Sequence, residues 1–473
     1  MVSDVKDKIP GMKRLRTVLT IIFVLSVSIL TSAPDTTTIS GRVINGNGYT
    51  IRLMTYNDQV SYNRVTLESD TIGEDEKFSF NFFINSIKYC WLDLEFQPAE
   101  LFIQPGQSYD VEIELKDLVL TNSYYNRSGL PVKFIKDDSD NLNLSIQDFN
   151  QLYNDFMLNY AESMQLRNSK VAYDNFMKAI ELRFQNNQQP FFRDYITYKT
   201  ASMQLFMRLK SRDNIGLENI TGKSILYDNP EYMDFFHLYF EKYFITGSKY
   251  FSFNKTYDLV NGEASFSEIA DSLLSDPVLR DMEVRELLIL DGFKDLYNIS
   301  GFKRSRILAL IDQISVNGST AETRMLAVNL LARLRRLQPG SPAPDFSLQE
   351  VNSGKSYSLA DFSAKLLYLA FFDSGNPASQ SELGLATDFY EEFKDKVAFV
   401  AVSVDKDFIQ LKEYLTRAEL PWLIVHYNGN LGLLEDFDAN TFPHFILISG
   451  KGQIIRCPAP APSENIQKLF NSF

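Results

Sequence analysis

The chain has 473 residues, 60 acidic against 47 basic side chains, and two cysteines, Cys90 and Cys457. That length predicts about two to four domains, and 37 Phe with 24 Tyr exclude a chain too apolar-poor to fold. A net charge of −13, three isolated histidines and two distant cysteines exclude a basic nucleic-acid surface, a four-ligand zinc site and a disulfide-dense scaffold.

Lys13-Arg14-Leu15-Arg16 precedes an uncharged run from Thr17 to Leu30 and the small residues Thr31, Ser32 and Ala33. A basic start, a short apolar stretch and small residues form a secretory signal. The run is shorter than the ~20 apolar residues of a membrane-spanning helix. Met12 stands just before the basic cluster, so residues 1–33 are expected to be a signal peptide whose true start is Met12. Pro34 is a poor cleavage context, and the alternative is an uncleaved N-terminal anchor. Cleavage would leave a still more acidic protein, soluble and periplasmic or otherwise extracytoplasmic, with no later stretch of membrane-spanning length.

Residues 34–118 keep a period near two, as in Thr38-Ile39-Ser40-Gly41-Arg42-Val43, Tyr49 to Leu53 and Lys77 to Phe82. Tyr89 to Leu94, Glu100 to Ile103 and Tyr109 to Glu114 continue it. Short strands punctuated by Gly and Asn predict an all-β sandwich, with Cys90 in its core. Residues 119–337 change to a three-to-four spacing, seen at Phe149, Leu152, Tyr153 and Phe156 and again at Leu326, Leu330 and Leu334. This predicts a helical domain. Asn229-Pro230 starts one helix, and the aromatic cluster from Tyr232 to Phe244 is expected to be helical core.

Gln338-Pro339-Gly340-Ser341-Pro342-Ala343-Pro344 breaks the pattern, and residues 338–473 then alternate strands with helices. Leu366 to Phe372 and Val397 to Val404 are apolar runs suited to strands buried on both faces. Ala386 to Phe393 and Asp407 to Arg417 are helical. Phe445 to Ser449 and Gln453 to Arg456 flank Gly450-Lys451-Gly452 as a hairpin, and Ser463 to Phe470 is a last helix. The fold class expected is multidomain α+β: an N-terminal all-β sandwich, a helical middle and a C-terminal α/β domain.

Gly340-Ser341-Pro342-Ala343-Pro344-Asp345-Phe346, then Phe371-Phe372-Asp373-Ser374-Gly375-Asn376-Pro377-Ala378-Ser379-Gln380-Ser381-Glu382, then Thr441-Phe442-Pro443-His444-Phe445 carry a resemblance. The C-terminal segment resembles the thioredoxin-like redoxins of Gram-negative envelopes, the AhpC/TSA- and TlpA-like group. The family has C-x-x-C after an aromatic strand, with a Glu three residues beyond the second Cys. Placing Glu382 in that register puts Asn376 and Ser379 at the cysteine positions and makes Asn376-Pro377-Ala378-Ser379 a degenerate motif. The resemblance makes Pro443 the residue of a cis-proline loop that faces the motif and holds an extended substrate segment. Phe442, Pro443, His444 and Asn376 are therefore the expected binding residues, and no residue is expected to be catalytic.

Disulfide exchange needs a thiolate, which neither Asn376 nor Ser379 can supply. What Asn376-Pro377 does supply is a helix cap followed by Pro at the first helical position. Cys457 follows the hairpin and is expected on the Pro443 rim. It is an inert small residue, a functional thiol, or one half of a Cys90–Cys457 disulfide. His444 is expected at a strand edge or in core, Asp373 and Glu382 as a carboxylate pair or as solvated acids, and Asp436 and Asp438 as surface charge.

Three functions remain. The first is a non-catalytic envelope module that binds an extended peptide or protein partner, with no cofactor, metal or nucleic acid. The second is a thiol-disulfide oxidoreductase or antioxidant redoxin using Cys457 or an external thiol. The third is an architectural envelope assembly protein.

Overall fold

The computed structural model describes residues 36–94, 97–115, 129–135, 141–162, 169–246, 248–405 and 407–473. The expected signal peptide lies outside the described residues. Among those described, no helix is long and apolar enough to cross a membrane.

Eight strands come first: β1 Thr37–Ile44, β2 Thr50–Tyr56, β3 Arg64–Thr71, β4 Lys77–Phe82, β5 Lys88–Leu94, β6 Gln97–Ile103, β7 Ser108–Glu114 and β8 Lys133–Phe134. They form two four-stranded sheets, ordered β4-β1-β7-β8 and β3-β2-β5-β6. Alternate residues of both sheets, among them Ile39, Val43, Ile51, Leu53, Cys90 and Val111, share one buried cluster, so the sheets pack face to face as the expected sandwich. The sheet continues past residue 118, because β8 pairs with β7. β3 has no counterpart in the sequence reading. It is an edge strand with no fully buried residue, and such a strand carries no apolar alternation to detect.

The middle consists of helices α1 Leu142–Glu162, α2 Ser169–Phe184, α3 Pro190–Phe206, α4 Arg212–Asn219, α5 Pro230–Tyr239, α6 Phe253–Asn261, α7 Phe266–Ser272, α8 Met282–Leu296, α9 Arg304–Asn317 and α10 Ala321–Arg335. Asn229 caps α5 by accepting from the Glu231 and Tyr232 amides. Tyr232, Phe235, Phe236, Phe240 and Phe244 are buried in one cluster, as expected of helical core. The sandwich is fastened to these helices at several places, among them the Lys88–Asp228 ion pair at 2.5 Å and two more. The Asn143 side chain accepts from Phe102 N at 2.6 Å and donates to Phe102 O at 2.8 Å, pairing with β6 as a strand would. The loop 58–63 inserts Val60 into the helical core, and Asp58 accepts from Asn329 Nδ2 at 2.9 Å.

The C-terminal part holds β9 Ser347–Glu350, β10 Ser356–Ser358, β11 Leu366–Phe372, α11 Pro377–Phe393, β12 Val397–Ser403, α12 Phe408–Ala418, β13 Leu423–His426, α13 Leu431–Asp436, β14 His444–Ile448, β15 Ile454–Arg456 and α14 Gln467–Phe470. Its sheet runs β10-β9-β13-β12-β11-β14-β15, with β11, β12 and β13 parallel. β11 is buried on both faces: Tyr368, Ala370 and Phe372 join the cluster under α11, and Leu367, Leu369 and Phe371 join the one on the other side. The hairpin β14–β15 is present, and Gly452 supplies its left-handed residue at φ +73°. The Pro-rich break is stitched to this sheet. Gly340 N donates to Ile454 O, Ile454 N to Ser341 O and Ala343 N to Gly452 O, each at 2.8 Å.

Asp436 is not plain surface charge. Arg64 of β3 donates to Asp436 Oδ1 at 3.1 Å and to Gly432 O at 2.9 Å, and it pairs with Glu435 at 3.3 Å. Arg336, just after α10, reaches Asp436 at 3.3 Å and Glu435 O at 2.6 Å. One short helix thus ties the sandwich, the helical region and the α/β domain together. A Cβ at position 432 would collide with the Arg64 guanidinium, which is why the approach needs glycine.

Candidate functional site

The chain leaves the top of β11 at Phe372 and turns into α11 over residues 373–376. Asp373 makes the turn, its Oδ1 accepting from Gly375 N at 2.8 Å. Asn376 then caps α11 through Oδ1, which accepts from Ala378 N at 2.8 Å and from Ser379 N at 3.4 Å, with Pro377 first in the helix. The other end of the same amide, Nδ2, donates to Phe442 O at 3.0 Å. The Phe442–Pro443 peptide is cis. Both expected loops are therefore adjacent and joined by one side chain. Pro377 and Ala378 are exposed, and Asn376, Phe442 and Pro443 are half-buried. Ser379 is fully buried and accepts from Asp373 N at 3.4 Å.

Beneath the turn lies a buried polar network that sequence reading missed. The Asp405 carboxylate, 5% exposed, accepts from Ser374 N at 3.0 Å, from the Ser374 hydroxyl, and from Ser403 Oγ at 2.7 Å. Burial raises its pKa against these bonds, and Asp373 adds like-charge repulsion. His426 Nε2 lies 2.7 Å from Asp405 O. The signal available was the polar pair Ser403 and Asp405 closing an apolar strand, where an unpaired buried acid would be costly.

The remaining residues separate. Glu382 accepts from Ser463 N at 3.0 Å and Ser463 Oγ at 2.6 Å, while Asp373 shapes its own turn, so the two acids are not a pair. His444 begins β14 at the strand edge, as expected, half-buried. Burial lowers its pKa, and its Nε2 lies 3.2 Å from Phe437 O. That bond assigns the proton to Nε2, which leaves Nε2 no lone pair with which to deprotonate Cys457 Sγ, 3.9 Å away.

Cys457 does reach the Pro443 end of the sheet. It packs with Phe371 and Phe437, on the face opposite α11 and its Asn376 cap. Burial pushes its thiol up to about 12. Cys90 is pushed up to about 12 by burial in the sandwich core. Both cysteines are free, so the disulfide alternative is not realised. Three units above the unperturbed thiol range leaves very little thiolate at pH 8. Alkylation of Cys457 by iodoacetamide at that pH is expected to run at least about a hundredfold slower than that of a free thiol; a comparable rate would contradict this placement.

A family model described as thioredoxin-like matches residues 364–454. The thioredoxin-like protein YneN of Bacillus subtilis (strain 168) is 29% identical over 121 residues, which are 25% of this chain and 69% of that protein. Among solved structures, the thioredoxin domain of a thiol-disulfide oxidoreductase from Bacteroides vulgatus is 24% identical. It covers 29% of this chain and 98% of its own, with a TM-score of 0.27. A thiol:disulfide interchange protein from Bacteroides sp. is 25% identical, covering 29% and 88%, with a TM-score of 0.26. The family model carries the assignment: the C-terminal part of the chain, at residues 364–454, is a thioredoxin-like domain.

Proposed function

We propose that this is an exported, thioredoxin-like protein of the cell envelope that binds an extended peptide or protein segment without exchanging disulfides. The observation behind this reading is the Asn376 Nδ2 to Phe442 O bond. In the register set by Glu382, Asn376 takes the place of the attacking cysteine. Its amide keeps the helix cap and the cis-proline loop in register while offering no ionisable nucleophile. The Thr441 and Phe442 N–H groups have no hydrogen-bond partner among the described residues. They are the donors an extended segment would meet by backbone pairing. Cys457 does not favour the redox alternative, because burial pushes its thiol up to about 12, far from the thiolate that exchange needs.

Insulin reduction with a low-potential thiol donor is expected to run no faster with the protein than without it. Turnover that Cys457→Ser abolishes would overturn the reading. Selection from a random peptide library should enrich binders whose addition shifts the Thr441 and Phe442 amides in NMR spectra; failure to enrich any would equally count against it.

A further inference from the structure

The outward face of an antiparallel sheet in a sandwich is ordinarily polar. The outward face of sheet β3-β2-β5-β6 is aromatic. Tyr56 of β2 and Tyr89 and Trp91 of β5 point away from the core, with ring centroids 4.8 Å apart for Tyr56 and Trp91 and 6.2 Å for Tyr89 and Trp91. The helices cover one end of this face, where Phe102 packs on Phe191 and Tyr195 and one side of Tyr89 packs on Phe102, and Tyr62 of the loop 58–63 meets the Tyr56 ring edge-on at 5.3 Å. The rest forms one wall of a cavity of about 1040 Å³, whose opposite wall is the α/β domain at Phe346, Tyr427 and Asn430. Clefts between domains are preferred ligand sites, usually of ~300–1,000 Å³, so this one has room for a chain of several rings.

The cations in the cleft are already engaged. Arg52 pairs with Asp93 at 3.4 Å, Arg64 and Arg336 share Asp436, and Arg333 donates to Ser61 O. Two further carboxylates, Glu100 and Asp345, line the cavity and would repel a phosphate or carboxylate ligand. What remains is acceptor-rich hydrogen-bonding capacity beside flat apolar rings. Asp345 and Glu100 line the cavity as acceptors. Gln97 lines it too, and its Nε2 is buried without a partner among the described residues. A peptide added as a strand would need a free edge, and on the β6 side of the cleft that edge is blocked. Pro98 has no N–H to give, and its carbonyl already accepts from Leu130 N at 2.8 Å.

We infer that the cleft between the sandwich and the thioredoxin-like domain is a binding site for a neutral oligosaccharide. Its rings would stack on Tyr56 and Tyr89, backed by Trp91, and its hydroxyls would bond to Gln97, Glu100 and Asp345. The lining reaches Asn440, next to Thr441, but includes none of Asn376, Phe442 or Pro443, so variants at Tyr56 and Gln97 test this site apart from peptide binding at the rim.

The chain has two tryptophans, and the second, Trp422, is buried in the α/β core against Tyr390 and Phe399. The full-length protein carrying Trp422→Phe therefore reports on Trp91 alone. Titration with neutral hexasaccharides of glucose, mannose, xylose and galactose should give a saturable fluorescence change with at least one of them. Tyr56→Ala should weaken that binding by about tenfold or more, and Tyr56→Phe should retain it. Gln97→Ala, on the cavity wall and outside the core cluster, should weaken it severalfold and guards against a folding defect in the alanine variant. Saturation by none of the four at roughly 10 mM, or only by an anionic control such as a hexauronate, would overturn the inference.

Discussion

Substituting cysteine at both Asn376 and Ser379 (N376C with S379C) is expected to convert the protein into a working dithiol reductant. The two positions are the cap and the third residue of one helix, a spacing that brings side chains within ~5–6 Å and within reach of a disulfide after a rotamer change. A thiol at position 376 would stand at the helix N-terminus, where the dipole and the free amides favour the thiolate, and such cysteines titrate at ~3.5–7.5. The thiol at 379 would be shielded, since Ser379 is fully buried, as suits a resolving group. Insulin reduction should rise from background to at least about tenfold above it. Neither single variant should do so, because one thiol alone cannot resolve a mixed disulfide. Losing the cap and the bond to Phe442 should cost about 1–2 kcal/mol of stability, which urea unfolding would report. A double variant that forms its disulfide yet reduces nothing would mean that the loop pair does not present substrates to this position.

The second large effect concerns Asp405. Its alanine substitution should destabilise the protein by about 2–4 kcal/mol, because Ser374 N and two hydroxyls would be buried without an acceptor. Asp405→Asn should cost less than about 1 kcal/mol at neutral pH, since the amide is the isostere of the protonated acid and can still accept from Ser374 and donate to Ser403. The pH dependence has a definite sign. The folded-state pKa of Asp405 is raised by burial, with Asp373 contributing, so the folded state holds the proton more tightly than the unfolded chain. The stability tied to that proton is fully present below the unfolded carboxylate pKa of ~3.9 and is lost as pH rises through the folded value. Urea midpoints of the native protein, compared with those of Asp405→Asn from pH 4 to 7, should therefore fall progressively behind. An asparagine variant as unstable as the alanine one would refute this account of the network.

Both variants sit where sequence and structure agree least evenly. The helix start at Asn376-Pro377 was legible because capping is local: the cap and the amides it serves lie within three residues. The hairpin around Gly452 and the aromatic core from Tyr232 to Phe244 were legible for the same reason of short-range pattern. Asp436 was not, because its partners Arg64 and Arg336 are 372 and 100 positions away. β3 and β13 were missed because the first is a polar edge and the second has only four residues. The aromatic outer face escaped for a different reason. Tyr89 and Trp91 alternate with Cys90 and Leu92, so both faces of β5 look apolar, and nothing local says which one meets a cavity.

The stitching of the Pro-rich break has a consequence for anything bound across the cleft. A joint of that composition, left free, would behave as a tether, and a ligand gripping both sides would first have to draw them together against its entropy. Residues 340–343 are instead held to the β14–β15 hairpin by three backbone hydrogen bonds around an antiparallel bridge between Pro342 and Gln453. The separation of the two walls is therefore built in, with no effective-concentration term, and affinity in the cleft depends on the contacts themselves rather than on how often the domains meet.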